Sequence, residues 1–348
     1  TRLRMEKSFY RVRNELTDPR IHAEDAFHAS KTSASRLETY AKCSFRYYAQ
    51  SVLKLADPEE DRNVFARGLI LHHVLDVLFK KSIQDPALLK NTDRMLTFAR
   101  QEVDTALRQF TMVFEKNYRH DLEVEGIWEM LKTFLLGEQA RLESSALIPR
   151  YFEMGFGVSD AEYPAFEVET KNGKIGIRGK IDRIDVSPEG TEGLVMDYKR
   201  TATFNPGDLV LGVQLQLPIY LMVMERFLRL KGVGAELYSV KEVRRSGFYR
   251  KELMNLAGKK RASPMTFSED DFKKMVERSL IFIRRFAEEM QAKVIAVKPR
   301  VCETYCAYAS VCRIEKWKLP SMLEEIREED RETMPAFPGG DMLVEEEV

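Results

Sequence analysis

In "SASRLETYAKCSFRYYAQSVL", apolar residues recur at Leu37, Tyr40, Ala41, Phe45 and Tyr48, a spacing near 3.6 that predicts a helix behind an N-capping serine. "VFARGLILHHVLDVLFKK" continues the same period over a broader apolar face and predicts a second helix. Residues 93–149 read as two long amphipathic helices. The texture then changes. "AEYPAFEVET", "KIGIRGKIDRIDV" and "GLVMDYKRT" are short runs rich in branched apolar residues, separated by turn signals at Asn172-Gly173 and from Pro188 to Gly193. They predict a three-strand meander. A helix follows in "QLQLPIYLMVMERFLRL", with proline in or near its first turns, then a strand in "AELYSVKEV" and a helix over 269–292. Helices, meander, helix, strand, helix predict one α/β domain whose mixed sheet is flanked by helices. Residues 1–30 are expected to be a peripheral arm. Residues 316–348, acidic and broken by Pro and Gly, are expected to be a solvated, disordered tail.

Composition narrows the class without choosing a function. The 348 residues are 44% hydrophobic and 32% charged, as in an ordinary globular protein, with a formal net charge of zero. A polyanionic partner would therefore have to meet a local basic patch. No apolar run approaches the ~20 residues of a membrane span. No signal peptide is visible, so no membrane partner and a cytoplasmic location are expected. The chain begins at Thr1 rather than Met, and a fragment of a longer protein is expected.

The hairpin "GKIDRIDVSPEGTEGLVMDYKRT" carries the first candidate chemistry. A turn centred between Glu189 and Gly190 sets Asp182 opposite Asp197, with Cβ atoms ~5 Å apart, and strand alternation puts Lys199 on the face of Asp197. Facing carboxylates are destabilising unless something positive lies between them. They are solvated or paired with Arg178, Lys180 or Arg183, or they share a proton as an acid–base pair, or they bind a hard divalent cation. In the last case the ion polarises a phosphate and Lys199 stabilises developing charge or orients water. His72, four residues after Gly68, reads alone as a core histidine, and Gln216 with Tyr220, one helical turn apart, reads alone as packing.

Taken together, G-x₃-H, G-x-x-D, D-x-K and Q-x₃-Y occur in an order that resembles the PD-(D/E)XK nuclease superfamily, in its RecB-like branch. The resemblance implies a restriction-endonuclease-like core. It implies Mg²⁺ or Mn²⁺ held by His72, Asp182, Asp197 and the backbone carbonyl of Tyr198, with Lys199, Gln216 and Tyr220 completing the catalytic set. It further implies DNA, single-stranded, as substrate, exonucleolytic hydrolysis in repair or recombination, and a helicase partner. The chain itself has no G-x₄-G-K-[ST] phosphate loop for such a motor. The rival readings are a catalytically silent DNA-binding module and a metal-stapled scaffold subunit of a helicase–nuclease complex.

Of the four cysteines, Cys302, Cys306 and Cys312 crowd into "CETYCAYASVC". Thiolates at this density suit zinc or an iron–sulfur cluster, and Cys43 is the one cysteine left to serve as a fourth ligand. "SASRLETYAKCSFRYY" is similar to the cysteine-bearing first helix of AddB-type helicase–nuclease subunits. That resemblance implies a [4Fe–4S] cluster on Cys43, Cys302, Cys306 and Cys312, structural rather than electron-carrying, closing a nuclease domain over residues 31–315 with 93–149 as a helical insertion. Two departures stand out: Ser44 where the family has Pro, and a three-residue first gap in the triplet where two is commoner. Zinc remains the alternative. "KEVRRSGFYRKELMNLAGKKR", residues 241–261, is either a solvated hairpin or a phosphate-tracking surface whose Phe248 and Tyr249 stack bases.

Overall fold

The computed structural model describes residues 30–55, 62–110, 120–201 and 203–338. The expected arm, short of Ser30, and residues 339–348 lie outside them. In chain order the elements are β1 (Lys31–Ser33), α1 (Ala34–Lys42), α2 (Ser44–Tyr47, continued by a π turn to Val52), α3 (Arg62–Gln84), α4 (Thr92–Gln109) and α5 (His120–Ser144). There follow β2 (Ile148–Phe156), β3 (Phe166–Thr170), β4 (Gly173–Val186), β5 (Glu192–Lys199), α6 (Pro206–Val210), α7 (Gln216–Phe227) and β6 (Lys231–Ser239). The chain closes with β7 (Arg244–Arg250), β8 (Thr266–Phe267), α8 (Glu269–Gln291), α9 (Ala309–Cys312) and α10 (Leu319–Thr333).

The eight strands form one mixed sheet in the order β1-β4-β5-β6-β7-β8, with β2 and β3 also paired to β4. The expected meander is β3-β4-β5, both junctions antiparallel. β5 and β6 run parallel, and the connection between them carries α6 and α7, as a parallel pair requires. The sheet separates two apolar cores. One packs α1, α7 and α8 on the first face, with Ile181, Val195 and Leu237. The other packs α3, α4 and α5 on the second, with Met196, Tyr198 and Tyr238. Strand alternation accounts for the division, since neighbouring residues of β5 serve opposite layers.

Buried charge joins the second layer to the sheet. Arg183, fully buried, pairs with Asp185 and with Glu138 of α5, donates to the Tyr198 hydroxyl at 3.0 Å, and lies 4.2 Å from the centre of the Phe79 ring. Arg141 completes a two-cation, two-anion cluster through Glu138 at 2.8 Å and Asp185 at 2.7 Å. Burial pushes the Glu138 carboxyl up, but the two guanidinium charges outweigh it and hold it at about 2.

Three expectations change here. Residues 148 and 149 belong not to a helical insertion but to β2, whose regular burial begins only near Phe152. Pro149 is tolerated because β2 pairs on one side only. Second, residues 319–337 are not a solvated tail. Ile326, Asp330, Met334 and Phe337 form a buried stripe, and Asp330 accepts from Arg285 at 2.8 Å and from Arg300 at 2.6 Å. Third, the basic stretch contains β7, and its aromatics cannot stack bases: Phe248 and Tyr249 are buried against β6.

Replacing Arg183 by Met fills similar volume but leaves Glu138 and Asp185 sharing one cation. A loss of about 3–5 kcal/mol in urea unfolding is expected, since breaking a buried ion network strands a desolvated charge; a loss under about 1 kcal/mol would show the cluster to be energetically idle.

Candidate active site

The β4–β5 hairpin turns through Gly190 at φ +74°, whose N–H donates to Ser187 at 2.9 Å. Its register pairs Val186 with Gly193 through to Arg183 with Met196. The paired register ends there, and continuing it by one step would bring Asp182 to Asp197. The Asp182 carboxylate accepts the Tyr198 N–H at 2.7 Å, which locks the acid to the neighbouring strand. Asp197 is 2% exposed, and Lys199 Nζ lies 2.6 Å from its Oδ2.

Two helices, one from each layer, complete the cluster. From α3, His72 Nδ1 stands 3.5 Å from Asp182 Oδ1 and 3.3 Å from Glu153 Oε1. From α7, Gln216 Nε2 donates to the Tyr220 hydroxyl at 2.9 Å. Gly179 makes that approach possible: a Cβ there would sit 2.8 Å from the Phe156 ring and 3.3 Å from that of Tyr220. The glycine of G-x-x-D is thus a packing requirement first of the Phe156 ring and then of Tyr220 beside it. His73 turns instead toward Glu102 and the Phe110 ring.

Glu153 is the residue that sequence reasoning missed. Phe152 pairs with Arg183 and Met154 with Ile181, so Glu153 comes across from Asp182 on the side away from Asp197. Its φ of +50° is unusual for a residue with a side chain. Lys180 Nζ holds its second oxygen at 3.0 Å. A lone acid in the apolar run "RYFEMGF" was the available signal, hidden because the run was not read as a strand.

The electrostatics follow from crowding. Burial and the Asp197 charge raise the Asp182 carboxyl to about 7. Burial alone would lower His72, but the hydrogen bond to Glu153 and the charge of Asp182 raise it. Burial would likewise lower Lys199, and Asp197 outweighs it, so the lysine keeps its proton more firmly than usual. Burial would raise Glu153, and its hydrogen bonds from His72 and Lys180 hold it below the ordinary range instead. His72, Glu153 and Asp182 each offer a ligand atom, all within 4.8 Å of one another. Oxygen donors with one imidazole fit a hard divalent cation, and the unrelieved repulsion at Asp182 is what such an ion would neutralise.

The four cysteines lie together away from this cluster. Cys43, Cys302, Cys306 and Cys312 line one cavity of about 40 Å³. Burial, and the nearness of Cys306 and Cys312, push the Cys43 thiol up. Among the described residues no three of these sulfurs meet the 4.8 Å spacing of the acidic trio. Tyr40 donates to the Val294 carbonyl at 2.6 Å, and the Arg300 N–H donates to that of Lys42 at 2.9 Å. Ser44 donates to the carbonyl of Ala296 at 3.0 Å and accepts its N–H at 2.9 Å. Where the family has proline, this serine ties the two ends of the domain.

In the metal-free protein, Asp182 keeps its proton to about pH 7 when folded but has an ordinary value of 3.8 when unfolded. The native state then binds the extra proton between those values, so stability falls as pH rises through that window. Asp182→Asn is expected to match wild type near pH 4 and to exceed it by about 1–3 kcal/mol at pH 8 in urea unfolding without metal. A difference independent of pH would show that the proton is not held there.

Comparison with known proteins agrees with this arrangement. Residues 31–313 match the family model of the PD-(D/E)XK nuclease superfamily. An ATP-dependent helicase/deoxyribonuclease subunit from Clostridium botulinum strain Hall is 27% identical over 59% of the chain and 19% of its own length. The corresponding subunit from Caldanaerobacter subterraneus subsp. tengcongensis is 24% identical over 81% of the chain and 29% of its own length, and that from Enterococcus faecalis 31% identical over 60% and 18%. The chain thus spans less than a third of each of these relatives. With the hairpin acids, the lysine and the histidine in one cluster on a mixed sheet, and the family match running across nearly all of the described residues, the chain belongs to the PD-(D/E)XK nuclease superfamily.

Proposed function

We propose that this chain is the nuclease domain of a helicase–nuclease subunit and hydrolyses phosphodiester bonds of DNA with Mg²⁺ or Mn²⁺. The observation that carries the reading is the Asp182–Asp197 pair with Lys199 at 2.6 Å and His72 at 3.5 Å. An ion bound among these acids would polarise the scissile phosphate and make water a nucleophile near neutral pH. Asp182, Asp197, His72 and the carbonyl of Tyr198 would hold it, with Glu153 as a further oxygen donor. Lys199, kept cationic by Asp197, does not serve as a base; it stabilises charge growing on the phosphate oxygens. The Gln216–Tyr220 pair orients the strand or the lysine from the opposite wall. In the metal-free protein Glu153 holds the His72 ring through Nδ1.

Single-stranded DNA suits this reading because the name these relatives carry joins helicase to deoxyribonuclease, and unwinding delivers separated strands. A helicase partner and a cytoplasmic location belong to the same reading. No helix among the described residues is long and apolar enough to cross a membrane. At the cysteines, a [4Fe–4S] cluster is favoured over zinc. The four thiols line one cavity, and the stretch around Cys43 resembles the cysteine-bearing helix of AddB-type subunits. Its role is closure: α1 and residues 294–301 already meet there.

On end-labelled single strands with Mg²⁺ or Mn²⁺, Asp197→Ala and Lys199→Ala are each expected to slow cleavage by at least about 10²-fold. Cleavage unchanged in Asp197→Ala would leave the catalytically silent reading standing. After anaerobic purification the wild type should carry about four iron and four sulfide per chain and absorb near ~400 nm, and Cys306→Ser should lose the iron and melt lower. Stoichiometric zinc without iron would overturn the cluster assignment.

A further inference from the structure

We propose that Glu38 is a positioning residue: its carboxylate caps the helix that presents Gln216 and Tyr220 and ties that helix to the segment ending at Cys43. The inference rests on the nuclease reading and adds a residue to it.

The first N–H groups of a helix have no partner within it and need an acceptor from elsewhere. In α7 the residue at the N-cap position is Leu215, whose side chain provides none. Glu38 Oε1 provides it from 177 positions upstream. It accepts the N–H of Leu215 at 2.8 Å, that of Gln216 at 2.7 Å, and the side-chain amide of Gln214 at 3.1 Å. Pro218, lacking an N–H, leaves the first turn one donor fewer to satisfy.

What this cap fixes is the catalytic wall. Gln216 is the first residue of α7, and its amide holds the Tyr220 hydroxyl at 2.9 Å. A helix start that swings or frays carries Gln216 with it. The tolerance is small, because Tyr220 fits against Phe156 over the bare Gly179. The charge of Glu38 also acts on Lys199, alongside Asp197 and Asp182.

At its other end the same helix reaches the cysteines. α1 runs from Ala34 to Lys42 with Cys43 as its C-cap, five residues beyond Glu38 and so about 7.5 Å along the axis. The Lys42 carbonyl accepts from the Arg300 N–H, which seats α1 against the segment leading to Cys302. One rigid helix therefore places Cys43 in its cavity and Glu38 under α7. The segment ending at Cys43 and the catalytic wall are thus joined through that helix.

The test uses the full chain with Glu38→Ala and Glu38→Gln. The glutamine keeps an oxygen acceptor for both N–H groups while it discards the charge and turns the second oxygen into an NH₂. Metal-free amide exchange at Leu215 and Gln216 should speed up at least about tenfold in Glu38→Ala and stay near wild type in Glu38→Gln. Single-turnover cleavage should fall at least about tenfold in Glu38→Ala with DNA affinity unchanged, and Glu38→Gln should keep it within about threefold. In a cycle with Gln216→Ala, adding Glu38→Ala should slow cleavage by less than about twofold further, since both act through one helix turn. Ile326→Ala, in α10, controls for lost stability and should leave cleavage unchanged at a matched loss of melting temperature. Wild-type exchange in Glu38→Ala, a glutamine variant as slow as alanine, full additivity, or equal slowing by Ile326→Ala would each overturn the proposal. Failure of the nuclease reading itself looks different, because wild type and Asp197→Ala would then be indistinguishable.

Discussion

Two carboxylates on neighbouring strands, Asp182 and Asp197, set the condition that the rest of the chain satisfies. Burial and the nearby Asp197 charge together raise the Asp182 carboxyl. A hairpin left alone would relax by twisting or slipping register. It cannot do so here because the next residue of each strand is held from behind. Asp182 is followed by Arg183 and Asp197 by Tyr198, and these point into the opposite layer, where the guanidinium donates to the hydroxyl at 3.0 Å. A slip of one residue would expose that buried cluster and invert every side chain of the hairpin. The favourable charge pairing behind the sheet thus holds the unfavourable pair in front in register.

That division of labour extends across the layers. The second layer contributes His72 from α3, a helix whose apolar face packs on β2 while its histidine looks past the sheet edge to Asp182. The first layer contributes Gln216 and Tyr220 from α7. No element carries more than two of the candidate side chains, so the site exists only when both faces of the sheet are covered. Glu153 marks the seam. Its left-handed backbone turns β2 so that Phe152 serves one core and Met154, two residues on, the other.

Much of this was legible in the sequence because it rests on local pattern. The meander, the hairpin register and the face shared by Asp197 and Lys199 follow from period-two alternation and one turn, and α7 and α8 follow from 3.6-residue spacing. What escaped detection depended on distant partners. β1 and β8 are too short to carry a period, and β2 opens with an exposed isoleucine and a proline. The C-terminal helix reads as acidic because Glu324, Glu325, Glu328, Glu329 and Glu332 face solvent around its buried stripe, and Asp330 within the stripe is held there by Arg285 and Arg300. Phe248 and Tyr249 look like a stacking surface among basic residues, yet β7 is a sheet strand whose arginines are largely engaged: Arg245 by Glu236, Arg250 by Glu225 and Glu269. Charge in a sequence shows how much polarity must be satisfied, not whether water or a buried partner satisfies it.

The same distinction bears on the cysteine closure. A metal that folds a small domain outright does so because nothing else brings its ligands together. Here the two ends of the domain also meet through hydrogen bonds independent of sulfur: Tyr40 to Val294, Ser44 with Ala296, Arg300 to Lys42. Ser44 makes two of them, a role open to a hydroxyl and closed to the proline the family favours at that place. The thiols are therefore brought around a common cavity by the fold, and metal binding has less chain entropy to overcome than the long separation of Cys43 from Cys302 suggests. A cluster bound there would add stiffness where α1 ends, and α1 is the helix from which Glu38 reaches the first turn of α7.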